Sequence, residues 1–277
     1  MSTASQADGD RTTTQRVLII MPARNEAARI GALLCELRDR VPQAEILVID
    51  DESSDATPAV AVAAGASVAR LPFHLGYGAA LQTGYKFAMA HGFDFVVQMD
   101  ADGQHRPAQV PALLKRVTSG SCDLAIGSRF AQAGDGSASN PEARYEMQTL
   151  RSIGRRMLCF FARLGGLHVT DPTSGFQALN QRSLQLFASS WYPSDYPDVD
   201  VLLLAHRSGL RIQEEPVDMA PSPRPAALGL DARVLRLPDA PVALGRERRA
   251  ALGGPRSCPT DFQSRLSEGS FPQGELT

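Results

Sequence analysis

The sequence predicts an α/β domain with a mostly parallel central sheet flanked by helices. Two observations carry this expectation. Short β-branched apolar runs alternate with segments of helical spacing through the first half of the 277 residues. Three polar clusters, Arg24-Asn25-Glu26, Asp50-Asp51 and Asp100-Ala101-Asp102, each follow the end of such a run. Ligands of open α/β sheets bind outside the carboxyl ends of the strands, so the three clusters are expected to meet there. Hydrophobic residues make up 43% of the chain, enough for a sizeable core.

Taken in order, Val17 to Met21 is a buried strand ended by Pro22. Ile30, Leu33, Leu34 and Leu37 give Glu26 to Arg40 helical spacing. Ile46 to Ile49 is a second buried strand. Asp55 suits the start of a helix running to Ala64, with Pro58 in its first turn. A short strand near Ser67 to Leu71, a helix over Tyr77 to His91 and a strand over Phe93 to Met99 follow. Pro107 to Ser119 is helical and Leu124 to Ile126 strand-like. Ala131 to Glu142, rich in Gly, Ser and Ala, is expected to be a mobile loop. Tyr145 to Gly165 is a long amphipathic helix, with Leu150, Ile153, Met157, Phe161 and Leu164 on one face and Arg151, Arg155, Arg156 and Arg163 beside it. Asp171 to Gly175 is a loop. Helices near Gln181 to Ala188 and Val199 to Gly209 and a strand over Arg211 to Val217 complete the pattern.

Residues 1–15 are polar and lack an apolar signal-peptide core, so they are expected to be a disordered leader. From about Pro221 the chain turns rich in Pro, Arg, Ala, Gly and Leu without a period. Residues 220–277 are therefore expected to be an atypical, disordered tail, for which a reading-frame change in a GC-rich gene is one account. The domain proper spans 16–219.

Composition excludes several classes. A net charge of −2 lacks the basic field that nucleic-acid binding uses. Four cysteines without a C-x-x-C pair, and histidines without an H-x-x-x-H pair, argue against zinc and for a reduced, cytoplasmic chain. No apolar run reaches the ~18 residues of a membrane span.

Asp100-Ala101-Asp102 carries the chemistry. Two carboxylates one residue apart, after a buried strand, suit a hard divalent ion such as Mg²⁺ or Mn²⁺ that also accepts diphosphate oxygens. Gln104 adds a further carbonyl oxygen. Asp51 can accept from a nucleobase N–H or a ribose hydroxyl, while Asp55 suits helix capping. Glu26 is explained equally by nucleotide contact and by the helix dipole. His105 reads as a ligand or as an exposed loop residue. Gly76-Tyr77-Gly78 departs from G-x-G-x-x-G, because position 81 is Leu, and reads as a tight turn before a helix.

In order along the chain, Met21-Pro22-Ala23-Arg24-Asn25-Glu26, Val48-Ile49-Asp50-Asp51-Glu52-Ser53-Ser54-Asp55, Gly76-Tyr77-Gly78, Gln98-Met99-Asp100-Ala101-Asp102-Gly103-Gln104-His105, Gly127-Ser128-Arg129-Phe130 and Asp171-Pro172-Thr173-Ser174-Gly175-Phe176 resemble family 2 glycosyltransferases. Within them they are similar to the dolichyl- or polyprenyl-phosphate mannosyl- and glucosyltransferase branch, over roughly residues 16–219. The resemblance implies a GT-A fold and an inverting transfer from a GDP- or UDP-sugar. It implies that Pro22, Arg24, Glu26, Ile49 and Asp51 line the nucleotide. It places Asp100, Ala101, Asp102 and Gln104 around metal and diphosphate. Arg129 would contact a donor or acceptor phosphate, or form a structural ion pair. Asp200 falls at an acceptor-side acid, or is an exposed helix residue.

A lipid-phosphate acceptor is already ionised and needs positive charge rather than a base. Arg129 and the arginines of 145–165 suit it, and that helix reads equally as a peripheral contact with the inner face of a membrane or as a core-packed amphipath. A sugar hydroxyl acceptor would need a base. After Val217 the sequence departs from the branch, with Asp218-Met219-Ala220 where a basic residue is usual and Arg224 only nearby. A nucleotide-sugar-binding protein without full activity is thus a rival expectation. A nucleotidyltransferase is another, weakened by the absence of a Gly-rich basic loop after the first strand.

Overall fold

Val17–Ala23 forms β1, an interior strand of the sheet, and every residue of it is buried. Its alternate side chains enter two different cores, because successive residues of a strand point to opposite faces. The computed structural model describes residues 15–131, 149–195 and 197–220, with 149–153 described by their backbone alone. Residues 1–14 of the expected leader, the loop 132–142, residues 145–148, the tail from 221 and Arg224 lie outside the described residues.

Parallel to β1 on either side run β2 (Ala44–Asp50) and β4 (Phe95–Gln98), with β3 (Ser67–Arg70) beyond β2. The seven strands lie in the order β3-β2-β1-β4-β6-β5-β7. Here β5 is Leu124–Ser128, β6 Gln177–Asn180 and β7 Ile212–Pro216. Only β6 is antiparallel to its neighbours, and β5 pairs in parallel with β7. The sheet is thus mostly parallel, as the alternation predicts.

Helices α1 (Ala27–Arg40), α2 (Thr57–Ala63) and α4 (Val110–Thr118) cover one face. Ile30, Leu34, Leu37, Val60 and Leu113 pack there against Ile19, Met21, Val48 and Val97. Helices α3 (Tyr77–Ala90), α6 (Gln181–Phe187) and α7 (Val199–Arg207) cover the other. Leu81, Tyr85, Leu184, Phe187 and Leu202 meet Leu18, Ile20, Ile49 and Val96 there. Pro107–Gln109 is a 3₁₀ turn leading into α4, so the helix expected from Pro107 starts three residues later.

Helix α5 (Thr149–Leu164) overturns one expectation. A core-packed amphipath would bury its apolar stripe, yet Met157, Phe160, Phe161 and Leu164 are 51–69% exposed. Only Ala162 of this turn is fully buried. The stripe therefore faces away from the described core.

β6 has no counterpart in the sequence reading. Four residues, Gln-Ala-Leu-Asn, directly before a helix give too short a pattern to read. Its lower end is tied by Asp123, which is 1% exposed. The Asp123 carboxylate accepts from the Arg211 backbone N–H and guanidinium, from Asn180 Nδ2 and from Arg182 Nη1 at 2.9–3.2 Å, joining β5, β6 and β7. The Arg211 hydrogen bond outweighs burial and holds this carboxyl well below the usual carboxylate range. The folded state therefore prefers the ionised form. Its stabilisation is complete above the ordinary carboxylate range and disappears as pH falls through the depressed folded value. Asp123→Ala is expected to lower unfolding free energy by about 2–3 kcal/mol at neutral pH, since charged hydrogen bonds are lost. Urea titrations should show this difference shrinking below about pH 4.

Candidate active site

The carboxyl ends of β1, β2 and β4 lie side by side, which brings the three sequence clusters to one edge. Two loops there are sewn together. Asn25, at φ 57°, donates its N–H to Ser53 Oγ at 3.0 Å and accepts from the Ser54 N–H at 2.9 Å. Asp55 accepts from the Thr57 N–H at 2.9 Å and the Ala27 N–H at 3.2 Å. One carboxylate thus serves the first residues of both α2 and α1, and Asp55 is structural. Glu26 is 5% exposed and pairs with Arg29 at 3.3 Å. Arg24 is exposed, whereas Pro22 and Ile49 are buried.

Asp51 is gripped from one side. Its carboxylate accepts from the Leu75 N–H at 2.7 Å, the Gly76 N–H at 3.1 Å and His74 Nδ1 at 2.6 Å. This fixes the segment 74–76 over the end of β2. Gly76 then turns the chain at φ +97°, a conformation open to glycine, and starts α3. The expected tight turn is therefore present, and it delivers Tyr77 to Asp100.

Asp100 lies just past β4. Tyr77 Oη donates to its Oδ1 at 2.8 Å. Burial first, and then the Asp100 charge, push the Tyr77 phenol well above its ordinary range, so it stays a donor. The Asp100 N–H donates to His105 Nδ1 at 3.0 Å, which leaves the imidazole proton on Nε2, 3.8 Å from Asp100 Oδ2. His105 is 4% exposed and stacks on Phe176 with centroids 5.0 Å apart. It is not an exposed loop residue, and its Nδ1 is engaged by the Asp100 N–H. No periodic signal in sequence marks a histidine packed beneath a turn. Ala101 is buried, and Asp102 Oδ1 accepts from the Gln104 N–H at 2.9 Å. The Gln104 side-chain amide donates to Asp102 Oδ2. Gln104 thus braces the carboxylate that it was expected to accompany as an oxygen donor.

Arg129 takes the structural alternative. Nε and Nη2 each donate to Asp171 at 2.7 Å in a bidentate pair, and its N–H adds a third bond at 3.1 Å. Asp171 is fully buried. From this pair the chain runs to Gly175, where a Cβ would lie 2.8 Å from Tyr77 Oη and 3.1 Å from Asp100 Oδ2.

A cleft of about 340 Å³ opens beside Asp100, lined by Tyr77, Gln98, Gly175, Tyr192, Asp198 and Leu202 among others. Asp198, not Asp200, lines it. Asp200 is exposed and accepts from the Asp198 N–H at 3.2 Å. Burial, then the neighbouring Asp200 charge, push the Asp198 carboxyl up. The resemblance points to Asp200, two residues further along the same helix start.

Asp100 and Asp102 are hard oxygen donors suited to Mg²⁺ or Mn²⁺. No group of three His, Cys, Asp or Glu residues gathers among the described residues. The other positions of a shell would fall to water or ligand oxygens, the usual arrangement where a cation is shared with a diphosphate. The backbone of Gly175, where a side chain would crowd Asp100, leaves the room this needs.

A parallel half-sheet with acids at its carboxyl edge, closed by an antiparallel strand, is an α/β fold of the GT-A type. The chain belongs to glycosyl transferase family 2, whose sequence profile matches residues 18–185, and it is a glycosyltransferase. It is 34% identical over 212 residues to an undecaprenyl-phosphate mannosyltransferase of Micrococcus luteus, covering 73% of this chain and 82% of that one. It is 30% identical over 213 residues to a polyprenol monophosphomannose synthase of Mycolicibacterium smegmatis, covering 74% and 77%. Among solved structures, glucosyl-3-phosphoglycerate synthase from Mycobacterium tuberculosis, in complex with Mn²⁺, UDP-glucose and phosphoglyceric acid, superposes with a TM-score of 0.57 at 22% identity, covering 76% and 73%. That likeness is one of fold.

Gly175→Ala is expected to displace Asp100 or Tyr77, with a cost of about 10²-fold in kcat/KM, the scale of an ångström-size misplacement. The urea midpoint should stay near that of the wild type. Unchanged kinetics would mean that Asp100 need not sit where Gly175 allows.

Proposed function

We propose that this enzyme transfers a hexosyl group from a GDP- or UDP-sugar to a polyprenyl phosphate, with inversion at the anomeric carbon. The observation that carries this reading is the placement of Asp100 and Asp102 at the carboxyl end of β4, beside the ends of β1 and β2. The names of the two bacterial relatives support the acceptor. The complex of the mycobacterial synthase with Mn²⁺ and UDP-glucose supports donor and cation.

In this reading Asp51, Glu26, Arg24 and the buried Pro22 and Ile49 form the wall against the nucleotide. Asp100 and Asp102, with Gln104 bracing Asp102, would hold Mg²⁺ or Mn²⁺, which supplies positive charge to a leaving nucleoside diphosphate. Inversion requires one displacement. An acceptor oxygen forms its bond to the anomeric carbon as the bond to the diphosphate breaks on the opposite side. A phosphate acceptor is ionised already, so the protein's task is to position it and exclude water. Arg129 acts through Asp171 by holding the loop that carries Gly175.

A second reading, transfer to a sugar hydroxyl, is favoured by Asp198. Its raised carboxyl in the cleft suits a general base. One screen separates the two. GDP-mannose, UDP-glucose and UDP-N-acetylglucosamine are incubated with Mn²⁺ and either undecaprenyl phosphate or soluble sugar acceptors. Release of nucleoside diphosphate that requires the lipid phosphate, is abolished by EDTA and is lost in Asp102→Asn is the expected result. Release that requires a hydroxyl acceptor and is lost in Asp198→Asn would establish the second reading instead.

No helix among the described residues is long and apolar enough to cross a membrane. The exposed Met157, Phe160, Phe161 and Leu164 of α5, flanked by Arg155, Arg156 and Arg163, fit the surface of an anionic bilayer at the cytoplasmic face. The protein should sediment with vesicles containing phosphatidylglycerol, and Phe160→Ser with Phe161→Ser should reduce the bound fraction several-fold. Equal sedimentation of the double variant would remove α5 from the contact.

A further inference from the structure

We infer that Tyr77 is a positioning residue for the cation site, held on Asp100 by a buried hydrogen-bond relay that continues through Gln98 to Tyr85. This rests on the proposed cation role of Asp100. Tyr77 Oη donates to Asp100 Oδ1 at 2.8 Å, and Gln98 Nε2 donates to Tyr77 Oη at 3.3 Å. Tyr85 Oη donates to Gln98 Oε1. Tyr85 is fully buried and Gln98 is 3% exposed.

The relay has one consistent direction. A carboxylate only accepts, so the Tyr77 proton must point at Asp100. Its oxygen is then left to accept, and the Gln98 NH₂ group supplies the donor. That orientation turns Gln98 Oε1 away, toward the one proton of Tyr85. If Gln98 flipped, its oxygen would compete with Asp100 for the Tyr77 proton. Asp100 thus fixes where the Tyr77 proton goes, the Tyr77 oxygen fixes which way Gln98 faces, and the Tyr85 hydroxyl, able to donate or accept, supplies the donor that Gln98 Oε1 then needs.

The aromatic cluster behind Tyr85 holds the far end of the relay in place. Its ring meets Phe187 edge-on at 5.6 Å and Tyr192 at 5.4 Å. Tyr77 itself is held by the start of α3, where Asp51 grips the segment before it and the Ala79 N–H donates to Ser194 O at 2.9 Å. The consequence falls on Asp100. With Oδ1 engaged by a phenol that cannot swing, the carboxylate cannot rotate freely, and Oδ2 keeps a fixed direction. Oxygen ligands of a metal are oriented in this way by their hydrogen-bond partners, and loss of such a partner weakens metal affinity ~10–100-fold.

The test measures Mn²⁺ binding directly, by electron paramagnetic resonance of free Mn²⁺ in the presence of GDP or UDP, on the full chain. Tyr77→Phe is expected to weaken Mn²⁺ binding roughly tenfold. Nucleoside diphosphate affinity in EDTA and the thermal midpoint should remain near wild type. A merely structural tyrosine would shift the midpoint and leave the Mn²⁺ isotherm alone. Tyr85→Phe should weaken Mn²⁺ binding in the same direction by a smaller factor, and Tyr77→Phe on an Asp100→Asn background should add no further loss. Wild-type Mn²⁺ affinity in Tyr77→Phe, with affinity lost in Asp100→Asn, would overturn the relay alone. Wild-type affinity in Asp100→Asn would overturn the cation role beneath it as well.

Discussion

Asp171 is completely buried, and a buried carboxylate persists only where paired charge and hydrogen bonds replace its water. Here Arg129 meets it with two parallel bonds and a main-chain N–H. The same corner is held from the other side. Glu214 of β7 accepts from the Thr170 N–H at 2.9 Å and the Asp171 N–H at 2.8 Å. Ser128 and Thr170 share a hydroxyl contact at 2.9 Å. The chain leaving this corner enters β6, the strand that runs against all its neighbours. The fixed corner sets where this four-residue antiparallel strand enters between β4 and β5, and the Asp123 cluster ties its other end. Through that strand and the loop before it, the ion pair decides where Gly175 lies, and so how closely backbone approaches Asp100.

The two acids of the site are held by different means, and the difference suits different tasks. Asp51 is satisfied chiefly by main-chain N–H groups from one short segment, so it also fixes that segment. Among the described residues Asp100 has a single side-chain donor, on Oδ1, and its Oδ2 has no hydrogen bond, His105 Nε2 approaching it only to 3.8 Å. A carboxylate meant to share a cation needs such a half-satisfied state. Full satisfaction by protein donors would leave no lone pairs to offer.

The half of the fold that carries the nucleotide edge was legible because it is periodic. Long apolar runs at β1 and β2 and helical spacing at α1 leave one reading, and the polar clusters mark the strand ends. The rest was not, for reasons of length and partnership. β6 is too short to show a period, and its antiparallel direction depends on the Arg129–Asp171 corner, which joins residues 42 positions apart. Arg129 and Asp171 each stood in a recognisable motif, but a sequence does not say that two motifs neutralise each other. His105 shows the same limit. Its burial comes from Phe176, far along the chain, which nothing near residue 105 announces. The apolar stripe of α5 was read correctly as a stripe, yet periodicity says nothing about which side of the molecule it faces.

The departure after Val217 looks different once the backbone is considered. Met219 pairs antiparallel with His105, and the Ala220 N–H donates to Gln104 O at 2.9 Å. The segment Asp218-Met219-Ala220 therefore lies over the turn that carries Asp102, and it is attached by main-chain groups. Such pairing tolerates almost any side chain, because every residue except proline carries the same donor and acceptor. The unusual residues here leave intact the contact that closes the turn around Gln104 and His105. What they set is the charge beside it, with Asp218 and Met219 where the resemblance implies a basic side chain. In the proposed reading that charge bears on attraction for a diphosphate, while the shape of the Asp100–Asp102 turn is secured independently by Gln104, His105 and the Phe176 ring beneath it.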